Sequence, residues 1–565
     1  MKKLIECVPN ISEGRDRAKI DAIANVVNEV EGVMLLDIDP GASTNRTVIT
    51  FAGEPEAVGE AAFRLIRKAA ELIEMRQHKG EHPRQGATDV CPFIPISGVS
   101  MEECAELSVR VAERVGKELG IPVYLYENAA RKEERRNLAN CRKGEYEALE
   151  KITTKEWEPD FGPVTVTDQV RKSGITTIGA RDFLVAYNVN LNTTSTRRAN
   201  AIAFDIREAG RIVREGDPVT GKPVLDASGE PVRVPGTLKS VKGIGWFIEE
   251  YGIAQLSLNL TNVNITPVHV AFEEACNKAQ ERGIRVTGSE LVGLIPLQCM
   301  LDAADHFLRK QQRSLGISEA EKIHIAVKSL GLDDLAPFKP EEKIIEYIID
   351  RKMKEGSKSL VDLSLTGFCH STSAETPAPG GGSVSAYCGA IGVSLGAMVA
   401  NLSSHKRGWD HRWEEFSQWA EKAMGYQREL LALVDEDTRA FNRIMEAFGL
   451  PKDTDEEKAA RSAAIQEATK YAVEIPMKTA RLAYESMQVM KAMVEEGNPN
   501  SVTDAAVGAL CARTAVLGAC MNARINITSL KDKAYAEAIT KEVETLEQNV
   551  KSLETEILNS TYSKM

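Results

Sequence analysis

Near residue 335 the chain changes grammar, and that change limits its fold more than any other feature. Upstream, short apolar runs of period two alternate with amphipathic stretches of helical period; downstream nearly everything is helical. Residues 4–10, 33–38 and 46–51 read as strands, and 16–30 and 55–75 as helices, giving the order β-α-β-β-α. A similar order returns with strands at 183–192, 241–249 and 254–260 and helices at 195–209 and 267–282. Each set suits a ferredoxin-like sheet with helices on one face, and two such subdomains facing each other leave a cleft for a ligand. Residues 211–239 alternate Val with turn residues and read as an inserted surface hairpin. The charged stretch 339–358, closing on Gly356-Ser357-Lys358, reads as a connection. Helices are then expected at 383–401, 412–448, 455–496, 502–527 and 532–561, with breaks at Pro451, Gly497-Asn498-Pro499 and Thr528-Ser529. The expected fold is an α+β N-terminal half of two ferredoxin-like α/β subdomains (1–180 and 181–335), a linker (336–358) and an all-α antiparallel helix bundle (359–565).

Composition narrows the function classes. A chain of 565 residues is too long for one core, and its 43% hydrophobic and 27% charged content is that of a soluble globular protein. A formal charge of -12 argues against general nucleic-acid binding, so an anionic ligand must be met by local cations. The ten cysteines form no C-x-x-C pair, which leaves no zinc ribbon or dense disulfide scaffold and points to a reducing cytoplasm. Met1-Lys2-Lys3-Leu4-Ile5-Glu6 lacks the apolar core of a signal peptide and reads as the start of a strand. The Gly-, Ser- and Ala-rich stretch 384–402 is barely long enough to cross a bilayer, and a buried bundle helix is expected there, with no membrane partner.

Chemistry concentrates in His78-Lys79-Gly80-Glu81-His82-Pro83-Arg84-Gln85-Gly86, a run too broken for a regular helix. Its two histidines invite comparison with H-E-x-x-H, but Gly80 and Pro83 oppose the helix and the glutamate adjoins the wrong histidine, so no metal site is expected. An imidazole can exchange protons near neutral pH, so this loop suits proton transfer on an anionic substrate. Asp37 and Asp39 end one strand and point to the same side, where a carboxylate, with Asp39 the candidate, could orient a histidine or serve a turn. Arg46 and Arg84 could pair with substrate carboxylates or form internal ion pairs.

In the helical half, Pro377-Ala378-Pro379-Gly380-Gly381-Gly382-Ser383 opens the small-residue helix. No Gly-Lys-Ser/Thr follows, so it is not a P-loop, but a glycine run at a helix N-terminus offers N–H groups and a positive dipole end to an anion. The stretch 429–448 carries an apolar stripe of Leu430, Leu433, Val434, Ala440, Phe441, Ile444 and Phe448, and Asp437 falls inside it. A carboxylate facing a core has a perturbed pKa and is either an acid/base group or paired for structural reasons. Ser501 and Asp504 have the spacing of a capping box before another small-residue helix that ends near Asn522, with ligand contact open to Asp504 and Asn522.

The histidine loop, the Pro-x-Pro-Gly-Gly-Gly-Ser start, Glu6-Cys7-Val8-Pro9-Asn10 and Val241-Lys242-Gly243-Ile244-Gly245-Trp246 resemble the formimidoyltransferase-cyclodeaminase family, over nearly the whole chain apart from the hairpin. The resemblance implies that His82 is the catalytic base of a formimidoyltransferase, with His78 a support, and that Asp437 is the catalytic aspartate of a cyclodeaminase. It further implies that Asp160-Phe161-Gly162-Pro163 through Lys172-Ser173-Gly174 to Gly179-Ala180-Arg181 lines a folate site, carrying over Gly162, Gly174 and Gly179, with Lys172 or Arg181 meeting the glutamate tail; residues 164–171 depart from the family pattern. The implied cosubstrate is tetrahydrofolate, mono- or polyglutamylated, the implied donor is N-formimino-L-glutamate, and no metal is used. Family precedent and the small-residue helices favour a homo-oligomer. Two rival readings are a glutamate formyltransferase with a methenyltetrahydrofolate cyclohydrolase-like second half, and a non-catalytic folate-binding scaffold.

Overall fold

The computed structural model describes residues 3–42, 45–80, 84–216, 220–227, 229–354 and 359–565. By contact the chain divides into two compact units, Met1–Cys299 with Leu330–Met353, and Met300–Ser329 with Lys354–Met565. The first unit therefore takes back a segment beyond residue 329, and the stretch expected to be a linker contains helices Pro340–Lys343 and Ile345–Lys354.

The first unit holds β1 (Leu4–Cys7), β2 (Asn10–Ile11), β3 (Val33–Gly41), β4 (Arg46–Gly53), β5 (Thr88–Ser97), β6 (Val123–Glu127) and β7 (Thr176–Ala180) in one sheet. β1 and β2 are one strand interrupted at Val8-Pro9, since proline has no N–H to give the ladder. Both pieces lie antiparallel between β4 and β5, and β3 edges β4, which is the ferredoxin-like order. β5 then continues through β7 to β6, both parallel, an extension that the sequence pattern did not reveal. Helices Arg17–Asn25, Pro55–Leu72 and Met101–Leu119 bury their apolar sides on one face, against Ile5, Cys7, Phe51, Cys91, Phe93 and Ile178.

The second sheet contains β8 (Val185–Leu191), then, after the insert pairing β9 (Arg211–Ile212) with β10 (Arg233–Val234), β11 (Val241–Ile248), β12 (Ile253–Leu260) and β13 (Val286–Val292). Its order β11-β12-β8-β13 repeats the ferredoxin-like arrangement. Gly245 lets helix Thr196–Ile206 close on β11: a Cβ there would stand 2.2 Å from the Asn200 backbone nitrogen, and the Asn200 amide bonds both the Gly245 N–H (3.0 Å) and its carbonyl (2.9 Å).

The second unit is helical. Gly381–Ser404, Trp413–Gly449, Asp455–Glu496, Val502–Ile527 and Lys533–Lys564 follow one another through short joints, with Leu315 to Gly316 packed against the second of them. Two of these, Gly381–Ser404 and Pro499–Ile527, have the length and hydropathy of a membrane span, but 61% and 50% of those windows are buried inside the unit. Their backbones touch: a Cβ on Gly392 would stand 2.7 Å from the Gly508 carbonyl oxygen, and one on Gly508 2.6 Å from that of Gly392. The core around them is mostly alanine, valine and methionine, which is what so close an approach leaves room for.

Candidate functional site

The first unit opens a cleft of about 810 Å³ between its two sheets. Its walls include Asn10, Arg46, Tyr126, Arg142, Lys143, Arg181, Lys242 and Asn262, with Glu127, Glu145 and Asp182 among them. Arg46 is fixed by Asp89, whose Oδ2 lies 2.7 Å from it and 2.6 Å from Arg142, and by Asn10 at 2.9 Å. Asp89 is fully buried and also accepts the Gln85 N–H at 2.9 Å, so one carboxylate holds two guanidiniums at the cleft and the end of the histidine loop. Lys143 and Lys242 carry no ion pair among the described residues and can meet an anion directly.

His82, with Glu81 and Pro83, lies outside the described residues, but both flanks of its loop are anchored. His78 is buried, and its Nε2 donates to the Asn45 carbonyl at 2.8 Å. Burial lowers its pKa, so the ring stays neutral and acts as a support. Asn45 in turn donates to the Lys79 carbonyl at 2.9 Å and accepts the Gly14 N–H at 3.0 Å. On the far side Arg84 bonds Glu147 at 2.8 Å and Glu145 at 3.2 Å. The structure thus employs Arg84 as an internal brace, the alternative to a substrate contact.

Other expected folate contacts fall elsewhere. Lys172 gives its ammonium to the Glu71 carbonyl at 2.8 Å. Gly162 and Gly174 have φ of +90° and +69°, and a Cβ on either would strike a backbone oxygen at 2.3 and 2.2 Å, of Ile121 and Gln85 respectively. Gly179 lies against Tyr126. These glycines fit the turns and strand contacts of the sheet and are absent from the walls of the cleft. Arg46 and Arg181 do line it, and the exposed Asp39 lines a smaller adjoining cavity with Asp37. Arg142, Lys143, Lys242 and Asn262 were not singled out from sequence; Arg142-Lys143-Gly144, a cation pair before a turn glycine, was the available signal.

In the helical unit several candidates come together. Asp437, on Trp413–Gly449, sits over the first turn of Gly381–Ser404. A Cβ on Gly382 would be 2.0 Å from Asp437 Oδ1, so only glycine lets the carboxylate approach the helix end. The Ser383 hydroxyl donates to the Val434 carbonyl at 2.8 Å and lies 3.3 Å from Asp437 Oδ2. Burial raises the Asp437 pKa, while the Ser383 hydroxyl and backbone N–H pull it down. Asn522 completes the cluster, its amide 3.1 Å from where a Gly381 Cβ would be, and Gly380 leads into the helix. Asp504 is not part of it: 18 residues earlier on the same helix places it about 27 Å away along the axis. The expected capping by Ser501 is also absent, and Asn498 caps the preceding turn instead. Among the described residues no group of three or more His, Cys, Asp or Glu side chains could hold a metal ion.

Three family profiles match: "Formiminotransferase domain, N-terminal subdomain" over 4–181, "Formiminotransferase domain" over 186–350 and "Formiminotransferase-cyclodeaminase" over 364–545. The formimidoyltransferase-cyclodeaminase of Mus musculus is 42% identical over 561 residues, covering 99% of each chain. The glutamate formimidoyltransferase of Streptococcus pyogenes is 41% identical over 310 residues, 55% of this chain and 94% of its own. The methenyltetrahydrofolate cyclohydrolase of Methylorubrum extorquens is 37% identical over 198 residues, 35% of this chain and 95% of its own.

Proposed function

The chain belongs to the formimidoyltransferase-cyclodeaminase family, and on that premise we propose that it runs two reactions in series. The first unit moves the formimino group of N-formimino-L-glutamate to N5 of tetrahydrofolate; the second closes 5-formiminotetrahydrofolate to 5,10-methenyltetrahydrofolate and releases ammonia. Such an enzyme serves histidine breakdown and one-carbon supply. The observation that carries the reading is the buried Asp437 seated on the glycine start of its neighbouring helix, a carboxylate that the bundle core has no use for.

In the transfer, N5 attacks the amidine carbon, His82 takes the N5 proton, and the same proton reaches the departing glutamate nitrogen as its bond to carbon breaks. Lys143, Lys242 and Arg181 meet the carboxylates of both substrates. In the deamination, N10 attacks the carbon of the protonated formimino group. Asp437 receives the N10 proton and delivers it to the departing nitrogen, which leaves as ammonia. An aspartate whose pKa is raised by burial is better matched to that exchange than an ordinary one. The scheme uses folate as cosubstrate and no metal. We place the enzyme in the cytoplasm as a homo-oligomer, without nucleic-acid or membrane partners.

The name of the Methylorubrum relative supports a second reading of the helical unit, hydrolysis of methenyltetrahydrofolate. The proposal is tested by supplying 5-formiminotetrahydrofolate to the protein and measuring products. Ammonia with methenyltetrahydrofolate supports cyclodeamination; no ammonia, with formyltetrahydrofolate formed from added methenyltetrahydrofolate, replaces it by the cyclohydrolase. A folate-binding scaffold would yield neither.

A further inference from the structure

Next to the large cleft, and sharing Asn10, Arg181 and Leu184 with it, the first unit holds a smaller cavity of about 270 Å³. Glu6, Asp37 and Asp39 line it from the face of the sheet, where Glu6 on β1 and the two aspartates on β3 stand on neighbouring positions across β4. The rest of the wall is largely apolar: Val8, Val48, Ile94, Phe183, Leu184 and Leu294. Glu6 is 2% exposed, and its Oε2 has no hydrogen-bond partner among the described residues. A buried carboxyl left unpaired costs stability, and the sheet would be served better by leucine. The charge of the two cavities is also segregated, carboxyls in the small one and Arg46, Arg142, Lys143 and Lys242 in the large one, with Arg181 at the junction.

We propose that this cavity is the pterin subsite of the folate and that Glu6 is its deep contact, bonding the lactam edge of the ring. The inference rests on the folate reading above and deepens it. A carboxylic acid and a lactam form two parallel hydrogen bonds, O–H to the ring oxygen and ring N–H to the acid's carbonyl. The apolar wall takes the faces of the bicyclic ring, Asp37 and Asp39 accept from its amino group, and the tail runs past Arg181 into the cationic cleft. Burial raises the Glu6 pKa to about 8 against the opposing pull of Arg181 and with a push from Glu346, which keeps the acid protonated at neutral pH. Facing groups are Arg181, Glu346, Asp37 and Asp39, so ionisation above that value places a further negative charge beside two aspartates.

The test is equilibrium binding of 5-formyltetrahydrofolate, and of p-aminobenzoyl-glutamate as the tail without the ring, to the full chain bearing Glu6→Leu or Glu6→Gln. The KM for N-formimino-L-glutamate is read alongside. Glu6→Leu is expected to weaken the whole folate at least tenfold, leave the tail within twofold and keep or raise Tm. Glu6→Gln, whose amide also donates and accepts, keeps the folate within threefold. Wild-type affinity falls between pH 7 and pH 9, and the Gln variant's does not. Folate binding by Glu6→Leu within twofold of wild type overturns the proposal. So does a loss confined to the KM of the formimino donor, which gives the pocket to the amidine. Should Glu6→Leu fail to fold, the Gln comparison decides: a pH profile matching wild type overturns the proposal, a flat one upholds it. Wild-type protein that binds no folate overturns both the subsite and the reading beneath it.

Discussion

Gly382→Ala is the smallest change that addresses the deaminase site. The new Cβ would stand 2.0 Å from Asp437 Oδ1 and 2.4 Å from its Cγ, about 1.4 Å short of the 3.4 Å at which ordinary contact begins. The first turn of Gly381–Ser404 is held by Ser383, so the carboxylate is the part that gives way, and it gives up the bonds from Ser383 as it turns. A displacement of about 1 Å at a proton-transfer site lowers turnover on the order of 100-fold, equivalent to about 2.7 kcal/mol of barrier. Overpacking adds a stability loss of about 1–3 kcal/mol to the helical unit. The assay is ammonia release from supplied 5-formiminotetrahydrofolate, beside consumption of N-formimino-L-glutamate, which is expected to be unchanged. Gly425→Ala is the control: it lies on the same helix as Asp437 with open space around its would-be Cβ, so it should keep full activity and stabilise the helix by up to about 1 kcal/mol. Wild-type ammonia release by Gly382→Ala would refute the geometric argument.

Three further expectations follow from the same contacts. Asp437→Asn should abolish ammonia release. Because burial raises the Asp437 pKa, the ionised form costs stability above that raised value and none below the ordinary aspartate value of about 4, so the Tm of the Asn variant should gain on wild type as pH rises from 4 to 7. Asp89→Ala leaves the Arg46 and Arg142 guanidiniums without their shared buried partner and should destabilise the first unit by about 3–5 kcal/mol, read by urea unfolding, with a shift well under 1 kcal/mol contradicting the account. Lys242→Ala should raise the folate KM several-fold, while Lys172→Ala, whose ammonium is occupied by the Glu71 carbonyl, should leave it within twofold; the reverse order would move the folate tail away from the cleft.

Local periodicity carried most of the fold. Asp455–Glu496 and Val502–Ile527 coincide with the expected ranges, because long amphipathic or small-residue runs bounded by Pro and Gly have no competing solution. The extension of the first sheet by β7 and β6 did not show, since pairing across a long crossover leaves no mark in a window of residues. Asp437 was legible as a charge in an apolar stripe, and Gly382 and Ser383 as an unusual helix start; their meeting was not. Glu6 carried the same signal, a carboxylate between Ile5 and Cys7 in a buried strand, and went unread as a site. Arg142, Lys143 and Lys242 look like surface charges until the fold gathers them, while Arg84 and Lys172 look like ligands until it pairs them.

The central claim is that two units catalyse successive steps with separate residues. It is tested most directly by giving tetrahydrofolate and N-formimino-L-glutamate to His82→Ala and Asp437→Asn proteins, singly and mixed, and following donor consumption, methenyltetrahydrofolate absorbance and ammonia. The account predicts that His82→Ala consumes no donor yet deaminates supplied 5-formiminotetrahydrofolate, that Asp437→Asn consumes donor without ammonia, and that the mixture restores the sequence. Ammonia from Asp437→Asn, or donor consumption by His82→Ala at the wild-type rate, would contradict it.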